Sequence, residues 1–153
     1  SPAPVNEPSP PLIEQIRSAP CQIINSRKAG GSIILNRHSA EFAGPGAVVG
    51  TPLDHHCENV IPLGDLALVH PKSIDEILTG YRIRLQWIKL VSKSTSLENT
   101  QLRAQKILEQ FEQFFRKRDV QQVPDEVLAQ LVGVLPQTIR SVRKKKQKIK
   151  KKL

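Results

Sequence analysis

The apolar residues of this chain change their spacing at about residue 73. Before that point they come in short runs, CQII, SIIL, AVVG and VIPLGDLALV, which glycines and prolines separate. Short apolar runs with this punctuation are typical of short strands. We therefore predict a small mixed α/β segment over residues 12–72. Residues 1–11 contain five prolines and few apolar side chains, which predicts a flexible, proline-rich leader.

A helical spacing begins at Ser73. Ser73 and Glu76 have the spacing of a capping box, in which the serine accepts a hydrogen bond from the first turn and the glutamate reaches back. Up to about Lys93, apolar residues then recur at steps of three and four, which indicates an amphipathic helix. These residues are Ile74, Ile77, Leu78, Tyr81, Leu85, Ile88 and Val91. Trp87 lies beside this stripe and is expected to bury its ring.

A second amphipathic helix is predicted over about residues 97–118. One side of it carries Phe111, Phe114 and Phe115, three of the four phenylalanines of the chain. Two interpretations of the helical region at residues 73–122 stay open. Its apolar side chains form an intramolecular core, or they form the surface of a homodimer centred on Phe111, Phe114 and Phe115.

Residues 123–146 predict two short helices joined by a tight turn. Pro124 suits the first helical position because the N–H that it lacks is not needed there, and Asp125 suits the positive end of the helix dipole. Gly133 can adopt the left-handed conformation that ends a helix. Pro136 can open the second helix, which turns Ile139 and its neighbour Val142 inward.

The spacing of Ala129, Gly133 and Ile139 resembles the helix-turn-helix of bacterial repressors and sigma-like regulators. In that motif the alanine allows a close helix crossing, the glycine makes the turn and the aliphatic residue holds the two helices together. The resemblance covers about 20 residues. Leu135 departs from it, because the second helix commonly starts with Ser or Thr, which can cap it.

This resemblance implies that the helix beginning near Pro136 enters the major groove of double-stranded DNA. The expected base-reading residues are Gln137, Thr138, Arg140 and Ser141. In this interpretation Gln137 pairs with adenine and Arg140 pairs with guanine.

The charge distribution supports a nucleic-acid partner. Of the 23 lysines and arginines, nine lie in residues 140–153, which contain no acid, while the rest of the chain has equal numbers of basic and acidic residues. We expect these cations, including a basic tail at residues 147–153, to neutralise phosphates. The predicted phosphate-binding residues are Arg143, Lys144, Lys145, Lys146, Lys148 and Lys150. A nuclear import signal, an anchor to anionic lipid and a solvated tail are the alternatives for this segment.

Other chemistry is weakly indicated. Asp54, His55, His56 and Cys57 form a run of metal-ligand types without the spacing of a zinc site, so we expect no metal and no cofactor. No motif surrounds Cys57 that would make it a nucleophile, and we expect no enzymatic activity. No apolar run reaches the roughly 20 residues that cross a bilayer, so no membrane partner is expected.

Together these patterns predict a mainly α protein with a small mixed α/β N-terminal part and a C-terminal helix-turn-helix. The function expected is DNA-binding transcriptional regulation, in the cytoplasm on the bacterial nucleoid, or in the nucleus of a eukaryote. The alternative is a regulator that binds a protein partner through residues 12–72, with a basic tail that gives only localisation or non-specific nucleic-acid contact.

Overall fold

A computed structural model describes residues 10–152. The predicted leader therefore lies outside the described residues except for Pro10 and Pro11, and Pro11 directly precedes the first helix. The elements in chain order are α1 (Leu12–Arg17), β1 (Gln22–Ile24), β2 (Gly30–Leu35), β3 (Ala40–Ala43), β4 (Val48–Val49), β5 (Asn59–Gly64), β6 (Leu68–Val69), α2 (Ile74–Thr95), α3 (Thr100–Phe114), α4 (Lys117–Gln121), α5 (Asp125–Val132) and α6 (Pro136–Lys152).

The strands form two antiparallel three-stranded sheets with the orders β4-β1-β6 and β3-β2-β5. The predicted short strands are confirmed at β1, β2, β4, β5 and β6. The sequence did not predict β3 or α1. Phe42 is the only large apolar residue in β3, and α1 has six residues, too few to show a helical period.

The described part of the chain is about half helical, with its strands confined to the first half. It is a mixed α/β fold whose later part is helical. Its larger core joins Ile33, Phe42 and Leu63 of the β3-β2-β5 sheet to residues of α3, α5 and α6. A smaller core joins Ile16 of α1 and the β4-β1-β6 sheet to Ile34 and Val60 of the other sheet. Trp87 packs against both, and its indole N–H donates to the carbonyl of Pro45 (3.3 Å).

The predicted α2 begins where the sequence placed it. The Ser73 side chain accepts from the Glu76 N–H (3.2 Å), but the Glu76 carboxylate accepts from the Lys72 N–H (2.7 Å) and not from Ser73, so the box is displaced by one residue. The prediction of which side of α2 is buried was wrong. The core side is formed by Gly80, Arg84, Val91 and Ser94, whereas much of the predicted stripe faces solvent.

The second predicted helix is divided in two. α3 ends at Phe114, Phe115 is extended, and α4 begins at Lys117. Phe111 and Phe115 are buried and pack around the ring of Phe42, as the intramolecular interpretation predicted. Phe114 is half exposed and is the only one of the three that offers substantial surface. In the part of the chain described, none of the helices is both long and apolar enough to span a bilayer.

Candidate nucleic-acid interface

α5 begins and ends at the residues that the sequence indicated, with one shift. Pro124 has extended backbone angles and is the N-cap, so the first helical residue is Asp125 and not the proline. The difference is one residue and leaves the acidic first turn in place. Gly133 ends the helix in the left-handed conformation (φ 71°, ψ 47°), as predicted, and its N–H donates to the carbonyl of Ala129 (2.9 Å).

The turn between α5 and α6 is held by main-chain hydrogen bonds. The Val134 N–H donates to the carbonyl of Ala129 (3.0 Å), and the Thr138 N–H donates to the carbonyl of Leu135 (3.0 Å). The Leu135 side chain is 67% exposed. The backbone of Leu135 thus supplies an acceptor in the first turn of α6 where a Ser or Thr side chain commonly caps.

The inner sides of the two helices pack as the spacing predicted. Ile139 and Val142 of α6 are buried in one core cluster with Leu128, Ala129 and Val132 of α5. Ala129 and Ile139 therefore occupy the positions expected of a scaffold. The outer side of α6 is left to solvent.

Arg103 of α3 holds the turn from outside the hairpin, a contact that was not predicted. Its Nη1 donates to the carbonyl of Gly133 (3.1 Å), and its Nε donates to the carbonyl of Leu97. A helix C-terminus carries partial negative charge, so a guanidinium is well matched to this position. The sequence could not show this contact because thirty residues separate the partners.

Two ion-pair groups set the rotation of α6 about its axis. Asp125 accepts from Arg143 Nη1 (2.7 Å) and lies 3.5 Å from Arg140 Nε, while Arg143 Nη2 donates to the carbonyl of Val120 (3.0 Å). Further along, the Lys146 ammonium contacts Glu112 of α3 at 3.0 Å. Asp125 thus holds α6 against α5, a role beyond the helix dipole.

The side of α6 opposite the core is continuous and cationic. At about 100° per residue, one line along the helix carries polar and basic residues from its first turn to its last. We call these residues the α6 outer face: Gln137, Arg140, Lys144, Lys148 and Lys151, all exposed. No acidic residue occurs between residues 136 and 152, so nothing within α6 offsets this charge.

The structure thus separates the predicted site residues into two groups. Exposed positions are occupied by Gln137, Arg140, Lys144, Lys145, Lys148 and Lys150. Half-buried positions are occupied by Thr138, Ser141, Arg143 and Lys146, and the last two are engaged with Asp125 and Glu112. Among residues 10–152, the exposed lysines of this set form no ion pair. Leu153, the last residue of the predicted tail, lies outside the described residues.

A further charged cluster, in the N-terminal half of the described residues, is internal. Arg84 of α2 donates two hydrogen bonds to the carboxylate of Asp54, each at 2.7 Å, and a third to Glu41 at 2.8 Å. Burial lowers the pKa of the Arg84 guanidinium, but the hydrogen bonds and charges of Asp54 and Glu41 outweigh it, so this pKa is raised. Arg84 is therefore a permanent cation enclosed by its own counter-ions.

The fold does not bring the side chains of residues 54–57, which are of metal-binding types, together around one point. Asp54 is occupied by Arg84, while the rings of His55 and His56 lie against each other in the turn, with a centroid distance of 3.7 Å and an angle of 42° between their planes. Cys57 is buried; burial and the nearby charge of Asp54 raise the pKa of its thiol, which disfavours the thiolate. Within the described residues, no group of three His, Cys, Asp or Glu side chains is placed to hold a metal ion.

Comparison of the chain with models of protein families, with curated proteins and with solved structures finds no match to any of them.

Proposed function

We propose that α5 and α6 form a helix-turn-helix and that this protein regulates transcription by binding double-stranded DNA through the α6 outer face. The observation that carries the proposal is the division of α6 into two sides. One side is buried through Ile139 and Val142, and the other presents only polar and basic residues. The protein would then act on the nucleoid of a bacterium or in the nucleus of a eukaryote.

The dimensions of α6 suit this task. An α-helix about 10–12 Å across fits the major groove, which is about 12 Å wide. Gln137 and Arg140 lie in the first turns, where side chains of a recognition helix meet base edges. An amide can bond adenine in two places and a guanidinium can bond guanine in two places, so these residues suit base reading.

The lysines of the outer face suit a different task. Lys144 and Lys148 lie about 10 and 17 Å further along the axis than Gln137, at a rise of 1.5 Å per residue. That distance takes them beyond the base pairs that the first turns can reach and towards the phosphates that border the groove. Lysine acts there as a point charge, which gives affinity without sequence preference.

A binding selection of the full chain against random duplexes at physiological salt tests the proposal. Enrichment of one sequence motif is expected. Arg140→Ala should then weaken binding to the selected motif by about 1–3 kcal/mol and leave binding to unrelated duplexes nearly unchanged. Arg118→Ala in α4 is the matched control, since Arg118 is exposed but lies outside the outer face. Equal loss on all duplexes after Arg140→Ala would show that α6 does not read bases.

The phosphate contacts have their own test. Replacing Lys144, Lys148 and Lys151 with Gln should make the negative slope of log affinity against log salt less steep, by up to about 0.9 for each lost contact. The change should be the same on every duplex sequence. Lys93→Gln at the end of α2 is the control and should leave the slope unchanged. Salt-dependent binding without any enriched motif would instead favour the regulator that binds a protein partner through residues 12–72.

A further inference from the structure

The turn between β2 and β3 lies against α5, the first helix of the proposed helix-turn-helix. We call residues 36–39 the β2–β3 turn. Gln130 of α5 donates from Nε2 to the carbonyl of Asn36 (2.9 Å) and to the carbonyl of Ser39 (3.1 Å). The Asn36 N–H also donates to the Ser39 carbonyl (2.8 Å) and closes the turn. One side-chain amide of α5 thus holds both ends of a turn that lies more than ninety residues earlier in the chain.

Apolar packing supports the same contact at the base of the turn. Leu35 at the end of β2 and Ala40 at the start of β3 form a pair in the sheet. Both pack against the core cluster that contains Leu128 and Leu131 of α5. The β2–β3 turn is therefore held at its base by the core and at its edge by Gln130.

The β2–β3 turn presents an arginine to solvent. Its two central residues, Arg37 and His38, are exposed. Among residues 10–152, Arg37 forms no ion pair, whereas Arg140 and Arg143 of α6 both contact Asp125. The Arg37 guanidinium is therefore available to an anionic partner.

α5 has one side that the rest of the described chain leaves open. The buried residues of this helix are Val127, Leu128, Ala129, Leu131 and Val132. Glu126 and Gln130, which are one turn apart, are exposed. In a helix-turn-helix on DNA, the first helix crosses the phosphate backbone while the second lies in the major groove. The side of α5 that can meet the backbone is therefore the side that carries Gln130 and, through it, the β2–β3 turn.

We propose that the β2–β3 turn is a second DNA contact, in which the Arg37 guanidinium binds a backbone phosphate beside the groove that α6 occupies. This inference rests on the proposed function and gives the N-terminal half of the chain a part in it. A guanidinium can donate two parallel hydrogen bonds to one phosphate. Such a contact carries no sequence information, but it fixes the register of the protein on the duplex.

The charges near the turn make this contact depend on one residue. Glu126 lies one turn before Gln130 on α5, and the Glu58 N–H donates to the carbonyl of Leu35 beside the turn (2.8 Å). Both glutamates are exposed, and their carboxylates repel phosphates. The turn is thus not a generally basic patch like the α6 outer face. Replacing Arg37 alone should therefore abolish the contact.

Duplex binding by Arg37→Gln tests the contact. The loss of one phosphate contact should make the salt slope less steep by about 0.9 and weaken binding about fivefold at about 0.15 M salt, on every duplex sequence. Arg37→Lys keeps the charge and should retain the wild-type slope. Arg27→Gln is the matched control, because Arg27 is also exposed and forms no ion pair among residues 10–152. It precedes β2, whose six residues place it about 20 Å from Arg37, so the slope should not change.

Gln130→Ala tests whether α5 positions the turn. Gln130 is a positioning residue in this proposal, so its loss should weaken binding by no more than the loss of Arg37 does. The double variant of Arg37→Gln and Gln130→Ala should bind as weakly as Arg37→Gln alone, because both changes act on one contact. Helix content by circular dichroism should match the wild type in all three variants. Losses that add in the double variant would show that Gln130 does not act through Arg37.

The outcomes separate this contact from the proposed function. Wild-type affinity and salt slope in Arg37→Gln would overturn the contact and leave DNA binding by α6 standing. A loss confined to the selected motif would also overturn it, since a phosphate contact acts on all sequences alike. If the wild-type chain binds no duplex at all, the proposed function fails, and the contact that rests on it fails as well.

Discussion

Two arginine–carboxylate groups in the described part of the chain differ in their surroundings. In the N-terminal half, Arg84 and Asp54 are almost completely enclosed, with 5% and 2% of their side chains exposed. In the C-terminal half, Arg143 and Asp125 are each 20% exposed, and Arg140 beside them is 55% exposed. Both groups have a shortest contact of 2.7 Å.

Although the shortest contacts are equal, removing one partner should have different consequences in the two groups. A buried ion has no water to replace a lost partner, whereas a charge near solvent can be hydrated when its partner is removed. The Arg84 group fixes where α2 lies on the strands, and its loss endangers the fold. The Asp125 group orients a helix that Ile139 and Val142 already anchor. It should matter more for the direction of the α6 outer face than for stability.

Asp54→Ala should give the largest effect. It leaves the buried Arg84 cation with Glu41 as its one remaining carboxylate among the described residues, and it removes the acceptor of the Gly50 N–H, which donates to Asp54 at 2.8 Å. The free energy of unfolding should fall by about 3–5 kcal/mol, measured by urea titration. Glu41→Gln is the control: the Glu41 side chain is 41% exposed, so the loss should be within about 1 kcal/mol. Equal losses in the two variants would contradict the assigned importance of burial.

Gly133→Val should have an intermediate effect, of about 1–3 kcal/mol. A side chain at this position has open space, since the nearest atom to an added Cβ is Arg103 Nη1 at 3.7 Å. The cost therefore comes from forcing a β-branched residue into a left-handed conformation. DNA affinity should fall before helix content does. Gly133→Asn is the matched control, because asparagine tolerates this conformation, and it should lose markedly less.

Arg143→Ala should have a smaller effect on stability, about 1 kcal/mol or less, because its pair with Asp125 is partly hydrated. A guanidinium that also supports the carbonyl of Val120 does orient α6, so affinity for a selected duplex should fall more than stability does. Urea titration and duplex binding of the same variant measure the two quantities. A stability loss as large as that of Asp54→Ala would remove the distinction between the two groups.

The smallest effect expected is a difference in the reaction rates of the two cysteine thiols, which does not change the stability of the fold. Cys57 is buried, and its thiol has a raised pKa, so the native chain should react with a thiol reagent at Cys21, which is half-buried, well before Cys57. In urea both should react at similar rates. A thiol reagent that releases a coloured product measures the two reaction rates at pH 8. The slow reaction should be missing in Cys57→Ala, which assigns it to Cys57. Rapid reaction of Cys57 in the folded chain would show that the region around Asp54 opens readily.

How much of the molecule could be predicted depended on the distance between interacting residues. The ends of α5 and the start of α6 followed from Pro124, Gly133 and Pro136, because proline and glycine restrict or free the backbone at their own positions. The break after α3 was missed. Phe114 and Phe115 are both apolar, and nothing in their identity showed that one is extended.

The sequence by itself determined the local elements: the short strands, the capping serine of α2, the α5–α6 pair and the concentration of positive charge in α6. Each of these depends on residues within a few positions of one another, where spacing and backbone preference are sufficient. Tertiary structure alone decided which side of α2 is buried, since that helix has one apolar stripe and one core side that contains an arginine. Arg84 can be internal only because Asp54, thirty residues away, meets it there. No local pattern specifies such a partner, because the chain must fold before the two charges can be brought together.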